Sequence, residues 1–387
     1  MNIEFAPSDW GLYVHIPFCR ARCTYCDFNT VTHMGEGEHQ QYLDAVVREW
    51  QTVPVPTGRL ISIFFGGGTP SLVHPSLIAG FLETVRDRLG PIEDVEITLE
   101  SNPGTLDTAR LHGFWQSGVN RLSVGAQAMQ EDHLRALNRI HGVEDIYSTV
   151  RFARQAKFSN LNLDAIYGLP SQTLNQWQDT LRQLIDLGPE HLSLYRLQVE
   201  EGTPLAIGVA QGDLHLPPED SVADMSDLAS MMLAEAGYEQ YEISNWARPG
   251  YESRHNQLYW TMNSYIGLGA GAHSFHNNRR WWNIRGVRRY MMMQESGEST
   301  VDGEEQLSLS EQMQEYMWLG LRRRDGISKD RFAGKFHRAP EDVFPQQLMK
   351  LVDLGLVVNG EHRIWLSHRG WEMSNYVFRL FVGSVKD

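Results

Sequence analysis

The cysteines of this 387-residue chain all lie within eight consecutive positions, at Cys19, Cys23 and Cys26. Three thiols cannot all pair with one another, so this spacing favours a ligand site over a disulfide framework. Structural zinc is normally held by four protein ligands, and His15, Asp27 or His33 could provide the fourth. The CxxxCxxC pattern therefore predicts a metal or metal-cluster site, and zinc is an open alternative at this point.

The composition is that of a large folded protein. Apolar residues make up 42% and charged residues 21% of the chain, and its length suits two or three domains, or one large barrel with an addition. The formal net charge of -14 opposes broad nucleic-acid binding, which uses basic surfaces. No apolar run is long enough for a transmembrane helix, although contact with a membrane surface stays open. Reduced thiols and the absence of a signal-peptide pattern predict a cytoplasmic location.

The first 205 residues alternate short β-rich runs with amphipathic helical segments such as Gln41–Trp50 and Ser76–Leu89. This alternation predicts βα units and a parallel sheet. Six such units fit either a doubly wound sheet or an incomplete barrel, and their spacing alone does not choose between them. The predicted strands are Leu12–Ile16, Ile61–Phe65, Val95–Leu99, Arg121–Val124, Leu161–Ile166 and His191–Leu197.

Polar and glycine-rich residues follow the predicted strands. In parallel βα proteins, ligands bind at the carboxyl ends of the strands. The cysteine loop follows the first strand, and Gly66-Gly67-Gly68-Thr69-Pro70 follows the second. Glu100 and Gln127 follow the third and fourth strands, and Asp164 lies within the fifth. We therefore expect these groups to form one composite site.

The βα rhythm weakens after residue 205, which predicts a different organisation for the rest of the chain. We expect residues 1–205 to form the barrel, 206–300 an aromatic-rich extension and 301–387 a small C-terminal domain. Within that last part, helices are predicted at Gln312–Arg322, Pro340–Leu354 and Trp371–Leu380. A hairpin is predicted at Leu356–Leu366, and a polar linker at Glu295–Glu305. Helices combined with a hairpin suggest a winged-helix-like domain, for which the acidic net charge favours a structural role.

The cysteine spacing, together with the glycine motif after the second strand, resembles the signature of the radical S-adenosylmethionine (SAM) proteins. The segments ITLESNP, LSVGAQ, LNRIHG and NLDAIYGLP resemble one group within them, which contains the oxygen-independent coproporphyrinogen III oxidases and a family of haem chaperones. This resemblance covers nearly the whole chain. It favours an α/β fold built on a partial (β/α)6 barrel, with a small C-terminal winged-helix-like domain.

The resemblance also implies a site. Cys19, Cys23 and Cys26 would hold three irons of a [4Fe-4S] cluster, and SAM would chelate the fourth iron through its amino and carboxylate groups. Clusters with four thiolate ligands are the more usual case. Taken singly, such polar residues are often solvated or helix-capping groups. The remaining residues implied to bind SAM are Tyr13, Tyr25, Gly68, Thr69, Pro70, Glu100, Gln127, Arg139 and Asp164.

A second motif, His255-Asn256-Gln257-Leu258-Tyr259-Trp260, lies among aromatic and arginine residues. A packed core is the ordinary interpretation of such a cluster, but aromatic faces, arginines and a neutral imidazole also suit haem. The segment matches the HNxxYW motif of the haem chaperones, which implies haem-binding roles for His255, Asn256, Tyr259 and Trp260, with His255 as iron ligand. The nearby run from Gly267 to Gly271 lacks the full dinucleotide-binding pattern, and predicts a close approach of the backbone to a ligand or another strand.

Two further features separate the branches of this group. The oxidases carry a cysteine two positions after the third one, where this chain has Phe28, and they have a long N-terminal extension, whereas twelve residues precede Tyr13 here. The resemblance therefore implies a haem chaperone that passes haem to an acceptor apo-haemoprotein. The alternative is an oxidase in which a SAM-derived radical starts the decarboxylation of coproporphyrinogen III. A radical SAM methylase would normally need further cysteines.

Overall fold

The computed structural model describes residues 5–385. The strands, numbered in chain order, are β1 Trp10–Ile16, β2 Phe18–Cys19, β3 Val31–Thr32, β4 Leu60–Gly67, β5 Glu96–Ser101, β6 Arg121–Gln127, β7 Leu161–Tyr167, β8 His191–Arg196, β9 Glu239–Gln240, β10 Asn245–Ala247, β11 Ser264–Leu268, β12 His273–His276, β13 Arg279–Asn283, β14 Val301–Gln306, β15 Ile327–Ser328, β16 Val357–Asn359 and β17 Arg363–Leu366.

The helices are likewise numbered in chain order, and one short 3₁₀ turn at Pro70–Leu72 follows β4. They are α1 Glu36–Thr52, α2 Pro75–Leu89, α3 Thr108–Ser117, α4 Glu131–Ala136, α5 Val143–Gln155, α6 Leu174–Asp186, α7 Pro204–Gln211, α8 Glu219–Glu235, α9 Arg254–Trp260, α10 Val287–Ser296, α11 Leu309–Gly320, α12 Lys329–Phe336, α13 Pro340–Val343, α14 Pro345–Asp353, α15 His368–Glu372 and α16 Ser374–Arg379.

A 12-stranded sheet forms the centre of the molecule, with strand order β14-β13-β12-β11-β1-β4-β5-β6-β7-β8-β10-β9. From β1 to β8, neighbouring strands of the main run follow the chain and pair in parallel. A doubly wound sheet would reverse its order at a switch point, and this run does not. The six predicted parallel strands and the partial barrel are therefore confirmed. Within residues 5–385 no strand pairing closes the sheet into a complete barrel.

The parallel strands are largely buried, and one face of each contributes apolar side chains to the core. In β7, for example, Leu161 and Leu163 lie in the core and alternate with Asn162 and Asp164. In β1, Trp10, Leu12, Val14 and Ile16 all lie in the core. Local signals fix the helices around it. For example, α6 begins at a capping box in which Thr173 and Gln176 satisfy each other's backbone N–H groups. The carboxyl ends of the strands are thus held at fixed positions.

The extension adds strands to the free edge of β1. Strand β11 pairs with β1 in parallel, so a seventh parallel strand comes from the segment Ser264–Leu268. Strands β12, β13 and β14 continue the sheet in antiparallel fashion. The predicted polar linker at Glu295–Glu305 is therefore wrong over residues 301–305, because these residues lie in edge strand β14.

The run from Gly267 to Gly271 makes the predicted close approach to another strand. A Cβ atom on Gly267 would lie 2.1 Å from the backbone oxygen of His273. Gly269 has a φ of +101°, and its N–H donates to the buried Glu49 carboxylate at 2.8 Å. Glycine is needed at both positions, the first for space and the second for its backbone conformation.

The C-terminal part has its own apolar core, to which Met317, Phe332, Phe344 and Ile364 contribute. The predicted hairpin is confirmed as the antiparallel pair β16 and β17. The predicted single helix Pro340–Leu354 is instead two helices, since Pro345 begins α14 and removes a helical N–H. The predicted helix Trp371–Leu380 is also two helices, α15 and α16, which meet at Met373. The division at residues 205 and 300 stays a prediction.

Candidate functional site

The cysteine loop is held at the carboxyl end of β1 by a short parallel pair. Phe18 pairs with Val31 and Cys19 with Thr32, so the loop between them returns to its starting point. Within the loop, the N–H of Cys26 donates to the carbonyl of Cys23 at 3.3 Å. The three thiols are free and partly exposed, which makes them available to a common ligand.

The three cysteine sulfur atoms do not all lie within 4.8 Å of one another in the described part of the chain. Zn–S bonds of about 2.3 Å in a tetrahedron place sulfurs roughly 4 Å apart. Among residues 5–385, the one set of at least three such ligand atoms lying within 4.8 Å of one another is formed by Asp227, His368 and Glu372, far along the chain from the cysteines. His15 is not a spare ligand either, since its ring nitrogens bond to Tyr13 Oη at 3.0 Å and to the Asn29 carbonyl at 2.8 Å.

Arg139 links the cysteine loop to the ends of β5 and β6. Its guanidinium donates to Cys23 Sγ at 3.3 Å, to the Gly125 carbonyl at 2.8 Å and to Asn102 Oδ1. Asn102 in turn donates to Thr69 Oγ1 at 2.8 Å, and that hydroxyl lies 3.7 Å from Cys19 Sγ. Sequence reasoning did not single out Asn102. Its position directly after β5 was the available signal.

The glycine segment after β4 packs against the beginning of the cysteine loop. A Cβ atom on Gly67 would lie 2.4 Å from the His15 ring, and one on Gly68 would lie 2.7 Å from the Phe18 carbonyl oxygen. The N–H groups of Gly68 and Thr69 donate to the Ile16 and Phe18 carbonyls at 2.8 and 2.7 Å. These donors are used within the protein. A ligand amino group donates hydrogen bonds, so it would bind here to carbonyl or side-chain oxygens. Pro70 then begins the 3₁₀ turn.

Two buried carboxyl groups lie farther along the sheet edge. Glu100 accepts a hydrogen bond from the Gly67 N–H at 2.9 Å, and burial, followed by the neighbouring Asp164, raises the pKa of Glu100 to about 7. Asp164 accepts from Ser123 Oγ at 3.0 Å and Asn162 Nδ2 at 2.8 Å. Burial raises its pKa as well, against these hydrogen bonds, which lower it. Gln127 ends β6 with a φ of +68°.

The two tyrosines that the sequence implies as SAM-binding residues lie in different places. Tyr13 lies on β1, where its ring stacks on Phe64 with centroids 6.2 Å apart and also contacts His255. Tyr25 lies inside the cysteine loop and packs partly buried against the main core. Burial raises the pKa of both hydroxyls, so both stay neutral hydrogen-bonding groups.

The HNxxYW segment forms α9, whose first turn is held from two sides. Ser253 Oγ accepts from the Asn256 N–H at 3.3 Å, and the Glu96 carboxylate accepts from the N–H groups of Arg254 and His255 at 3.0 and 3.1 Å. A carboxylate at a helix N-terminus accepts hydrogen bonds from the free N–H groups there, and its negative charge interacts favourably with the positive end of the helix dipole. This distant residue of β5 therefore fixes the motif on the sheet.

His255 is buried, with 2% of its surface exposed. Its Nδ1 bonds to Ser62 Oγ at 2.8 Å, and its Nε2 to Tyr259 Oη at 2.8 Å. Burial lowers the pKa of His255 to about 3, so the ring is neutral. Both nitrogens are thus occupied by protein partners in this conformation.

The other residues of the HNxxYW segment have environments that differ from one another. Asn256 is partly buried on α9, and Trp260 lies under Arg322, whose guanidinium carbon is 4.5 Å from the ring centroid. Arg322 belongs to the segment just after α11, so Trp260 faces the C-terminal part. Of the four motif residues assigned to haem, Tyr259 alone lines the large cavity described next.

A cavity of about 660 Å³ opens between the cysteine loop and the extension. This size is within the range of small-molecule and cofactor sites. Its lining includes Glu100 and also two exposed residues, Phe28 and Arg285. Phe28 was not placed in a binding site from the sequence, whereas Arg285 is one of the arginines near the HNxxYW motif that suit haem. The lining consists of Tyr13, His15, Asp27, Phe28, Asn29, Gly67, Glu100, Tyr259, Tyr265, Gly271, Ala272, His273, Trp282, Asn283, Arg285 and Asp302.

Comparison with known proteins gives consistent matches. Residues 13–184 match the radical SAM superfamily, and residues 307–373 match the HemN C-terminal domain. The heme chaperone HemW of Bacillus subtilis (strain 168) is 37% identical over 377 residues, which cover 96% of this chain and 99% of that protein. HemW of Lactococcus lactis subsp. lactis (strain IL1403) is 34% identical, with 96% of each chain covered.

A solved structure supports the fold. The coproporphyrinogen III oxidase HemN from Escherichia coli, described as a radical SAM enzyme, superposes with a TM-score of 0.85. The match covers 98% of this chain and 92% of that chain at 24% sequence identity. At that identity the likeness establishes the radical SAM fold.

Proposed function

The chain belongs to the HemW family of radical SAM proteins, and we propose on this premise that it is a haem chaperone. In this proposal it binds a [4Fe-4S] cluster, SAM and haem, and it transfers haem to an acceptor haemoprotein. Membership of the radical SAM family implies the cluster and SAM. The relatives are named as heme chaperones. For this chain, the binding and transfer of haem are proposals.

Cys19, Cys23 and Cys26 are the proposed ligands of the cluster. Two observations support this: the thiols are free, and one short loop holds them. Three thiolates leave one iron of the cluster open to another ligand. A cluster held by these thiolates would supply an electron to bound SAM.

The proposed SAM site lies around this loop, at the ends of β4 to β7. The Arg139 guanidinium, next to Cys23 Sγ, can bind a carboxylate, and the Glu100 and Asp164 carboxyl groups can accept from hydroxyl or amino groups of the ligand. Tyr13, Tyr25, Gly68, Thr69, Pro70 and Gln127 complete the proposed set.

One observation carries the haem part of the proposal. The same cavity is lined by Asp27 and Phe28 of the cysteine loop and by Tyr259 of the HNxxYW segment. A ligand in this cavity would therefore contact both halves of the site. We propose that His255, Asn256, Tyr259 and Trp260 build the haem side, with Tyr259 at the wall.

The proposal is tested with anaerobically reconstituted protein. We expect it to bind haem without consuming SAM and to load an apo-haemoprotein in a transfer assay. Coproporphyrinogen III turnover, measured in parallel, distinguishes the alternative. Decarboxylation of coproporphyrinogen III without haem binding would replace the chaperone by an oxidase.

The acceptor is proposed only as an apo-haemoprotein. Within residues 5–385, none of the helices combines the length and apolar character needed to cross a lipid bilayer. A cytoplasmic location and the absence of nucleic-acid binding remain predictions from the sequence.

A further inference from the structure

The exposed end of the cavity contains an imidazole that has no hydrogen-bonding partner among residues 5–385. His273 begins β12, is exposed, and lines the cavity. The other histidines nearby are engaged: His15 by Tyr13 and Asn29, His255 by Ser62 and Tyr259, and His276 by Ser264. The cavity lining contains two imidazoles, His15 and His273. Both ring nitrogens of His15 are bonded, so His273 is the one of the two that can offer a ring nitrogen to a ligand without breaking an existing bond.

The surroundings hold the His273 ring in place. It stacks on Trp282, its partner on β13, with ring centroids 5.7 Å apart and planes at 27°. Trp282 in turn lies over Gly303 of β14, where a Cβ atom would be 2.4 Å from the indole. The backbone is fixed as well, because Ser274 Oγ accepts from the Gly267 N–H at 2.9 Å. A side chain on rigid strands with a packed neighbour is suited to hold a ligand atom.

The charges around His273 favour a neutral ring. Partial burial lowers its pKa, and the guanidiniums of Arg280 and Arg285 lower it further, while Glu305 opposes them. Neutral imidazole is the form that binds transition metals. This electrostatic setting agrees with the free nitrogen seen in the geometry.

Arg285 is the one permanently cationic side chain of the cavity lining, which also contains the acidic Asp27, Glu100 and Asp302. Its guanidinium makes no ion pair within residues 5–385, whereas Arg280 is paired with Glu305 and Glu315. The Arg285 carbonyl accepts from Asn29 Nδ2 at 2.9 Å, which ties this position to the cysteine loop. A free guanidinium at the mouth of a cavity suits a carboxylate.

Phe28 provides an apolar surface at the same end. Although it is a large apolar residue, 63% of its surface is exposed, and it lines the cavity directly after the cysteine loop. An imidazole, an indole, a phenyl ring and a guanidinium therefore line the same cavity. Their combination matches the chemistry of a flat metal-bearing macrocycle with carboxylate arms.

Resting on the proposed function, we propose that His273 is the protein ligand to the haem iron. In this arrangement Arg285 binds a haem propionate, Phe28 contacts the macrocycle, and Trp282 is a positioning residue for His273. His255 then acts through Tyr259 and does not touch the iron. The bond formed is a coordination bond from a neutral imidazole nitrogen to iron, and no electron or proton is transferred.

The first test compares haem with metal-free protoporphyrin IX in the cluster-loaded protein. We expect His273→Ala to bind haem roughly 10- to 100-fold more weakly, the range found when groups that support a metal site are removed. Its affinity for protoporphyrin IX should stay unchanged, since that ligand has no iron. Added imidazole should restore the wild-type absorption spectrum of the bound haem. His276→Ala, three residues farther along β12 and outside the cavity lining, is the matched control and should bind like wild type.

The second test concerns the propionate. Arg285→Gln should weaken haem and protoporphyrin IX alike, by roughly 10-fold or more for the loss of a charge-assisted hydrogen bond. Arg289→Gln removes an exposed positive charge from α10 outside the cavity lining and should leave both affinities unchanged.

The outcomes separate this inference from the proposed function. If wild type binds and transfers haem while His273→Ala keeps the wild-type spectrum and affinity, the His273 assignment is overturned and the chaperone stands. A spectrum altered by His255→Ala alone would return the ligand role to His255. An equal loss of haem and protoporphyrin IX affinity in His273→Ala would show a structural effect and also overturn the assignment. Wild-type protein that binds no haem would overturn both.

Discussion

The two ends of the cavity are built in different ways. At the cysteine-loop end, the cysteine loop, the glycine segment, Glu100 and Gln127 lie at or just beyond the carboxyl ends of strands, and consecutive strands place neighbouring groups side by side. At the extension end, the lining comes from α9, from β11 to β14 and from Arg285 after β13. These strands reach the cavity because β11 pairs with β1. Local motifs therefore define the first end, and long-range contacts define the second.

The difference extends to how each end is stabilised. Arg139 and Asn102 join the loop, β5 and β6 by direct hydrogen bonds to site residues. The extension is anchored beneath the site, where Glu49 of α1 accepts from Gly269, Asn283 and Tyr290. Substitutions at the first end should therefore act on cofactors directly, and those at the second end should act through positioning or stability.

The largest effect is expected from the cysteines. Replacing Cys19, Cys23 or Cys26 by Ala should remove most of the iron–sulfur cluster, because the chain has no other cysteine to substitute. Iron and sulfide content after anaerobic reconstitution, with the visible spectrum, gives the measurement. Ala21→Ser in the same loop is the control. Full cluster content in Cys23→Ala would refute the ligand assignment.

Removing a charged group near the loop should have a smaller effect. Asp164→Ala or Arg139→Ala should weaken SAM binding by about 1.5–3 kcal/mol, or roughly 10- to 100-fold, while the cluster remains. Equilibrium binding of SAM to cluster-loaded protein measures this. Arg135→Ala removes an exposed arginine paired with Asp132 on α4 and should bind SAM normally. Unchanged affinity in both test variants would remove Asp164 and Arg139 from the SAM site.

The same contrast explains what the sequence could predict. The six main strands and the groups after them were predictable because short β-rich segments alternate with amphipathic helical segments, and the strand ends carry the polar motifs. Asn102 follows the same rule and could have been found. The position of His273 could not, since it depends on β11 joining β1 across more than 240 residues of chain.

Errors in secondary structure also have physical causes. Strand β14, with the sequence VDGEEQ, is almost entirely exposed and pairs on one side only, so it shows no apolar alternation. The break between α15 and α16 at Met373 has neither proline nor glycine to mark it. The break at Pro345 did carry a signal, because proline begins helices more readily than it continues them.

At the extension end, His255→Ala should weaken haem binding only modestly. The lost hydrogen bond to Tyr259 contributes about 1 kcal/mol, or roughly fivefold in affinity. If His255 acts through Tyr259, then Tyr259→Phe should bind haem no more weakly than His255→Ala, because each substitution removes the same hydrogen bond. The double variant should then also bind haem no more weakly than His255→Ala. Haem titration checks this, with iron–sulfur content expected to stay intact. Fully additive effects would contradict the coupling.

The last prediction concerns the Glu49 anchor, which should affect stability and leave the cluster unchanged. Glu49 is buried, and burial raises its pKa to about 7, although hydrogen bonds from Tyr290, Gly269 and Asn283 lower it. In the unfolded chain the carboxyl titrates near 4.5. The folded state therefore holds a proton that the unfolded state loses, and this contribution to stability is present below about pH 4.5 and lost as pH rises through 7.

Tyr290→Phe removes the hydroxyl that donates to Glu49 at 2.6 Å, so it should raise the folded-state pKa further. The free energy of unfolding should fall by about 1–3 kcal/mol at pH 8, where an ionised Glu49 loses a donor, and by less at pH 5.5. Tyr238→Phe is the control, because its hydroxyl donates to the Pro189 carbonyl at 2.6 Å, which does not titrate. Chemical denaturation at the two pH values measures both variants. An equal loss at both pH values in Tyr290→Phe would mean that Glu49 does not change its protonation in this range, and that the extension is anchored by packing and uncharged hydrogen bonds.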